Sequence, residues 1–420
     1  DISTYRVNKW AALALKARFC LFEGTYRKYH GINLEGHDYT YYLEEAAKAA
    51  KTIIDEGPYK LYSTKTPDKD YMMLFAQENA STEEYILAIR NSYEAQVYHN
   101  ATAYTLLPTQ GRPGYTRKFI NMYLKKDGTA FTDQEGWQTL PFTEEVKDRD
   151  PRLAQSIRTP GYKRIGAKRV QGPDLGVTIT GYQPIKFVQD TTASGGQIDR
   201  NDRSTCDMPV FRYAEVLLNY AEAKAELGSL SPDDLNITVN EIRSRVGMPA
   251  LTMRDLDKQP DWYLSSEEYG YPNVTGSNEI VNAILEIRRE RTVELIQEGF
   301  RLQDLYRWKA GYCIDQAISG MYFPGPGEYK LAGKETADLI LYKAGETKPQ
   351  AGEGVSVYEL GSDIILSEGD KGYVYYHKTV ENLRTPFNEE RDYLYPIPSG
   401  ERSLNPNLTQ NPGWSDGLDF

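Results

Sequence analysis

Four stretches of the chain repeat Ala and Leu at helical spacing and stop at or beside a glycine, and this pattern confines the fold more than any other feature. YRVNKWAALALKARFCLFEG (residues 5–24) runs to Gly24, and YTYYLEEAAKAAKTIIDEG (39–57) is ended by Gly57 and Pro58. In the second, Leu43, Ala46, Ala47, Ala50, Ile53 and Ile54 share one face. Residues 5–56 are therefore expected to form an antiparallel helical pair. MPVFRYAEVLLNYAEAKAELG (208–228) sets Ala214, Leu217, Leu218, Ala221 and Ala225 on one side. Ser231-Pro232-Asp233-Asp234 then supplies a Ser cap, a Pro at the first helical position and acids facing the helix dipole, which predicts a helix to about Val246. The longest run, SNEIVNAILEIRRERTVELIQEGFRLQDLYRWKAG (277–311), is predicted to be helical and to be kinked or divided at Gly299. Helix pairs with Ala at the contact positions point to tetratricopeptide-like hairpins at 5–56, 208–246 and 277–310.

Between these pairs the helical period is lost. Residues 58–206 are rich in Gly, Pro, Thr, Asn and Tyr, and their short apolar runs YILAIR (85–90) and YQPIKFV (182–188) read as strands. Residues 311–390 are again Gly-rich and irregular, and the end is extended and proline-laden. The expected fold class is mainly α: helical hairpins with long irregular insertions and a few short strands. The expected organisation is one domain over 1–420. It comprises the helical pair 5–56, a loop-rich insertion at 58–206 that is the candidate ligand-binding part, and a C-terminal region at 207–420.

Charge removes several partners. With 49 Lys and Arg against 60 Asp and Glu, the formal net charge is -11, whereas nucleic acid and anionic membranes call for a concentrated basic face. No apolar run reaches the roughly 18 residues that a membrane-spanning helix needs. Cys20, Cys206 and Cys313 are odd in number and far apart, so they read as buried or unpaired thiols and not as a disulfide framework or zinc site. His30, His37, His99 and His377 form no metal-spaced pair. No nucleophile elbow, P-loop or HExxH is present, and the acidic loop DLDKQPD lacks the EF-hand order of ligands. Neither a catalytic residue, nor a metal, nor a cofactor is expected. Tyrosine is the unusual component, with 33 Tyr against 12 Phe and 5 Trp. Such a set suits a binding surface that needs an apolar face with a polar tip, and equally the packing of a solvent boundary.

EGFRLQDLYRW (298–308) places Glu298, Arg301, Asp304 and Arg307 at spacing three, an ion ladder along one helical face that reads as a strut to a neighbouring helix. RRERTVELIQEGFRLQDLYRW (288–308) resembles the signature helices of the SusD/RagB family. The closing YLYPIPSGERSLNPNLTQNPGW (393–414), FRYAEVLLNYAEAKAELG (211–228) and RDPRL (149–153) resemble further family motifs, in the family's order. Ile296-Gln297 and Trp414 depart from the usual residues at positions that touch packing. The resemblance implies a tetratricopeptide-like scaffold whose loop-rich face binds glycans or, in some members, peptides. It implies a SusC-like TonB-dependent transporter as partner and an outer-membrane, cell-surface location. It also implies that the chain, which begins Asp1-Ile2-Ser3, lacks an N-terminal portion carrying the export signal, the lipid-anchored cysteine and part of the ligand site.

Such a protein needs aromatic side chains on loops, where sugar C–H faces can stack. The candidates are Tyr98, Tyr104, Tyr115 and Trp137, with Arg112 as a polar contact, all set among Gly, Pro, Asn and Thr; Trp262 and Tyr263 are a second choice. A glycoside hydrolase would need two carboxylates a fixed distance apart, but the acids here fall mainly in solvated runs such as SPDDLN and SSEEYG. A peptide-binding RagB-like uptake protein and a scaffold that binds only protein stay open beside the glycan reading.

Overall fold

The computed structural model describes residues 3–375 and 385–418; His377 lies outside them. Helix α1 (Lys9–His30) begins at Asn8, whose side chain accepts from the Trp10 and Ala11 amides, and stops at Gly31 in the left-handed conformation (φ 66°). After a short connection α2 (Tyr39–Glu56) returns, capped by Asp38. The pair is antiparallel: Lys9 reaches Glu56 at 3.3 Å at one end, and Arg27 donates to the His37 carbonyl at 2.8 Å at the other. Small residues set the contact, with Ala11, Ala14 and Ala17 buried against Leu43, Ala46 and Ala50. Gly24 is part of this contact, since a Cβ there would stand 2.9 Å from the Leu43 side chain.

Helix α3 (Tyr213–Glu226) closes the same core with Val216, Tyr220 and Ala223. Helix α4 (Asn278–Glu294) runs antiparallel to α3. Arg212 pairs with Glu294, Arg291 donates to Asn219, and Arg288 pairs with Glu226, so the two numberings run in opposite directions. Helix α5 (Arg301–Arg307) follows. The architecture is that of helical hairpins separated by long irregular segments, as the Ala spacing predicts. The strands are short. β1 (Tyr85–Ile89) pairs antiparallel with β2 (Met208–Arg212), and beyond α5 lie β3 (Tyr322–Phe323), β4 (Gly327–Tyr329), β5 (Leu339–Tyr342), β6 (Ser356–Glu359) and β7 (Gly372–Tyr373). β3 pairs with β7, and β4, β5 and β6 make a three-stranded sheet. Among the described residues no helix is long and apolar enough to cross a membrane.

Four expectations need correction. Residues 208–212 are a strand and not the first turn of a helix, because Pro209 disfavours helical backbone at Met208 and β1 offers a partner. The helix expected from 232 to 246 is two, Pro232–Asn236 and Val239–Arg245, broken where Thr238 leaves helical geometry (φ -130°, ψ -93°). Residues 182–188 form only an isolated bridge between Ile157 and Pro184. Pro184 has no N–H to give to a ladder, and Phe187 turns to positive φ (65°). Finally, left-handed turns at Gln297 (φ 62°) and Gly299 (φ 86°) end α4 well before α5 begins. Glu298 therefore never joins the face of α5, and of the expected ladder only Asp304–Arg307 (2.9 Å) forms as spaced.

The charges of α4 are buried. Arg152 of the RDPRL motif meets Asp150 at 2.6 Å, Glu290 at 2.6 Å and Glu294 at 3.2 Å. Arg212 meets Glu84 at 2.9 Å, Glu294 at 2.8 Å and Glu298 at 2.7 Å. Arg245 adds a second guanidinium to Glu294 at 2.7 Å, and Lys186 meets Glu298 at 2.6 Å. Burial on its own raises the Glu294 carboxyl, but Arg245, Arg212 and Arg152 more than reverse this and hold it well below the usual carboxylate range. Burial also pushes the Lys186 ammonium down to about 8, against the pull of Glu298. These ion pairs fix the irregular middle segment to the hairpins, and the motifs that carry the family resemblance supply most of their members.

Candidate ligand-binding cleft

A cleft of about 400 Å³ opens where the 117–137 segment, the 263–269 loop and the 367–375 strand region converge. Its aromatic wall is assembled from residues far apart in the chain. Trp137 stands on a single helical turn entered through Gly136 (φ 73°), and Trp262 and Tyr263 open another turn capped by the Asp261 carboxylate. Asp261 is also ion-paired to Arg289, so the scaffold helix α4 fixes the position of this loop. The rings interlock: Trp137 lies 6.3 Å from Trp262, 5.8 Å from Tyr263 and 6.3 Å from Tyr269. Tyr263 and Tyr269 stack at 4.5 Å with an interplanar angle of 8°. Trp262 is the exposed member (45% of its surface), held by an indole N–H donated to Asp133 at 3.1 Å.

The polar members sit around this wall. Buried Arg117 donates to the Trp137 and Gln138 carbonyls at 3.0 and 3.1 Å and pairs with Glu145 at 3.0 Å. Its guanidinium also lies 4.8 Å from the Tyr373 ring centre, so one side chain ties two walls together. Asn121 donates to the Tyr263 hydroxyl at 3.1 Å, while its buried Oδ1 has no hydrogen-bond partner among the described residues. Burial raises the Tyr263, Tyr269 and Tyr373 phenols, which keeps them neutral as donors and acceptors. Glu268 is the carboxylate among the described residues that line the cleft. No cluster of His, Cys, Asp and Glu among the described residues is arranged to hold a metal ion, and all three cysteines are free.

Of the sequence candidates, Trp137 and Tyr263 line this cleft, and Trp262 packs against both rings from outside the lining. Trp137 and Tyr263 are nearly fully buried, forming the floor beneath Trp262 and not exposed contacts, because each is covered by the other rings. Tyr115 is buried too, donating to Gln297 Oε1 at 2.6 Å, and it faces a neighbouring cavity. Tyr98, Tyr104 and Arg112 line neither space. Tyr98 donates to the Tyr93 carbonyl at 3.1 Å beneath Arg203, Tyr104 is half exposed, and Arg112 donates to the Leu175 carbonyl. Sequence reasoning missed Tyr269, Tyr373 and Tyr375. The alternation of Tyr373 and Tyr375 along one extended run was the available signal, since residues two apart share a face.

A hairpin scaffold that holds a loop-built aromatic cleft on its side defines the class: a tetratricopeptide-like binding scaffold. The model of the SusD family matches residues 73–414. The chain belongs to the SusD family. It is 24% identical over 334 residues to a SusD-like protein of Formosa agariphila, a match that covers 76% of this chain and 56% of that relative. Among solved structures it is similar to a SusD-like carbohydrate binding protein of Bacteroides fragilis, with TM-score 0.58 and 22% identity over 96% of this chain and 65% of that one. It is also similar to a second SusD-like protein of the same species, with TM-score 0.57 and 20% identity over 97% and 66%. The chain thus spans just over half the length of the Formosa relative and about two thirds of these structures.

Proposed function

We propose that the chain binds an oligosaccharide in the aromatic cleft without cleaving it, as the capture component of a glycan-uptake system. The observation that carries this is the lining of Trp137, Tyr263, Tyr269, Tyr373 and Tyr375 around polar Asn121, with the exposed indole of Trp262 packed against its Trp137 and Tyr269 rings. Flat apolar faces bordered by hydroxyls and amides match a sugar ring, whose C–H face stacks while its hydroxyls bond at the edge. Glycosidase chemistry uses two carboxylates, and Glu268 is the one the described lining supplies. The likeness to a Bacteroides fragilis protein described as carbohydrate binding supports the same reading. In keeping with the family, the partner that receives the glycan is a SusC-like TonB-dependent transporter, and the place of action is the outer membrane at the cell surface, reached through a lipid anchor. The test is affinity electrophoresis through gels containing different polysaccharides, with the spent gels assayed for released sugar. Retardation by at least one glycan, lost in Trp262→Ala and unaccompanied by hydrolysis, is expected. Retardation by none, or release of product, sinks the proposal.

A further inference from the structure

A second cavity of about 570 Å³ adjoins the cleft, and Lys118 lines both. Tyr115, Phe119, Leu295 and Phe300 make its apolar walls, while Lys118, Arg291 and Arg301 bring three positive charges to them. Asp304 is the carboxylate in this lining, and it is already shared between Arg291 and Arg307, both at 2.9 Å. Lys118 and Arg301 form no ion pair among the described residues, although the Asp304 charge still favours the Arg301 guanidinium from farther away. Lys118 donates to the Gln316 side-chain oxygen and, at 3.5 Å, to Cys313 Sγ. Arg301 donates to the Tyr271 hydroxyl at 2.7 Å and to Thr292 Oγ1 at 3.3 Å. Among the described residues no carboxylate lies within ion-pair distance of either. Burial and the nearby Arg301 charge both press the Lys118 ammonium down, so the pair opposes itself as it stands. Keeping Lys118 charged beside Arg301 therefore costs free energy, in a chain whose net charge is -11. An anion delivered by the ligand removes that cost.

We infer that the glycan taken by this chain is acidic, its neutral rings lying along the aromatic cleft and the carboxylate of a uronic acid residue entering the adjoining cavity between Lys118 and Arg301. This rests on the reading of the cleft as a glycan site. Because Lys118 is common to both spaces, a single short oligosaccharide reaches the two features at once. Charge-assisted bonds from an ammonium and a guanidinium then distinguish a uronic acid from its neutral parent sugar.

Calorimetric titration of the chain decides it, using hexasaccharides rich in galacturonate, glucuronate or mannuronate, each beside its carboxyl-reduced counterpart, together with neutral glucan, xylan and mannan hexasaccharides. At least one acidic hexasaccharide is expected to bind about tenfold more tightly than its reduced form, with affinity falling as salt rises. Lys118→Gln and Arg301→Gln should each remove most of that preference, Lys118→Arg should retain it, and Trp262→Ala should weaken both forms alike. Melting curves of each variant separate loss of contact from loss of fold. Equal binding of acid and reduced forms, or tight binding of a neutral sugar that is indifferent to Lys118→Gln, overturns the inference and leaves the glycan reading standing. Binding of no sugar, with retention of a free-carboxylate peptide such as Leu-Phe in its place, overturns both.

Discussion

At the scale of single residues, two neighbouring tryptophans, Trp137 lining the cleft and Trp262 beside it, have opposite roles. Trp262 presents nearly half its surface to solvent, with one edge held by its bond to Asp133 and its ring contact with Trp137, so its exposed indole face can be covered by a ligand. Trp262→Ala is expected to cost on the order of 1 kcal/mol of binding, a several-fold loss of affinity by titration, with the melting temperature unchanged. Trp137 is buried beneath it among Phe131, Tyr263 and Tyr269. Trp137→Ala opens a cavity in the core and is expected to lower stability by about 3–5 kcal/mol, which denaturant unfolding measures directly. A melting loss in Trp262→Ala without loss of binding would reverse the two assignments. Sequence places both residues in irregular stretches but cannot say which ring covers which. That order comes from Tyr269, Tyr373 and Arg117, brought from distant parts of the chain by packing.

At the scale of elements, the two kinds of helix contact fail differently. In α1–α2 the contact is steric. An exposed helical glycine replaced by alanine gains stability from backbone propensity, but at Gly24 the new Cβ meets Leu43 at 2.9 Å. Gly24→Ala is therefore expected to destabilise by about 1–3 kcal/mol, and a gain on denaturant unfolding would show that the helices part freely. At the C-terminal end of α4 the contacts are ionic. Glu294, held below its normal carboxylate range by three guanidiniums, contributes stability that is complete above the unfolded pKa of about 4.3 and is lost as pH falls toward the folded value. Glu294→Gln is expected to cost about 3–5 kcal/mol near neutral pH, because it leaves buried guanidiniums short of a partner, and to flatten the acid limb of the stability–pH curve. An unchanged acid slope would assign that limb to other carboxylates. The helices were legible because Ala spacing and glycine stops are local signals. The role of RRERTVEL was not, since its charges find their partners only when Arg152, Arg212 and Arg245 arrive from elsewhere in the chain. For the same reason Glu298 passed for a rung of a ladder on α5: nothing local marks the left-handed turn at Gln297.

At the scale of the whole molecule, scaffold and site share one interior. The largest apolar cluster contains Trp137 and Tyr263 from the cleft together with Ala221 of α3, Ile284 and Leu285 of α4 and Trp308 just past α5. The ion-pair network around Glu294 and Glu298 reaches the middle segment through Arg152, Glu84 and Lys186, and Arg289 of α4 holds the loop carrying Trp262 through Asp261. A loop fastened this way has little to gain by unfolding alone, because its departure exposes the floor of the core and strips partners from buried charges. Thermal unfolding is therefore expected to be one transition, with the near-ultraviolet signal of the tryptophans and the far-ultraviolet signal of the helices coinciding. Ligand should move that single transition as a unit. At a glycan concentration about 100 times Kd the gain is about 2.7 kcal/mol, and it should appear equally in both signals. A near-ultraviolet change that precedes helix loss, and that ligand delays while leaving the far-ultraviolet midpoint in place, would mean that the cleft folds apart from the hairpins.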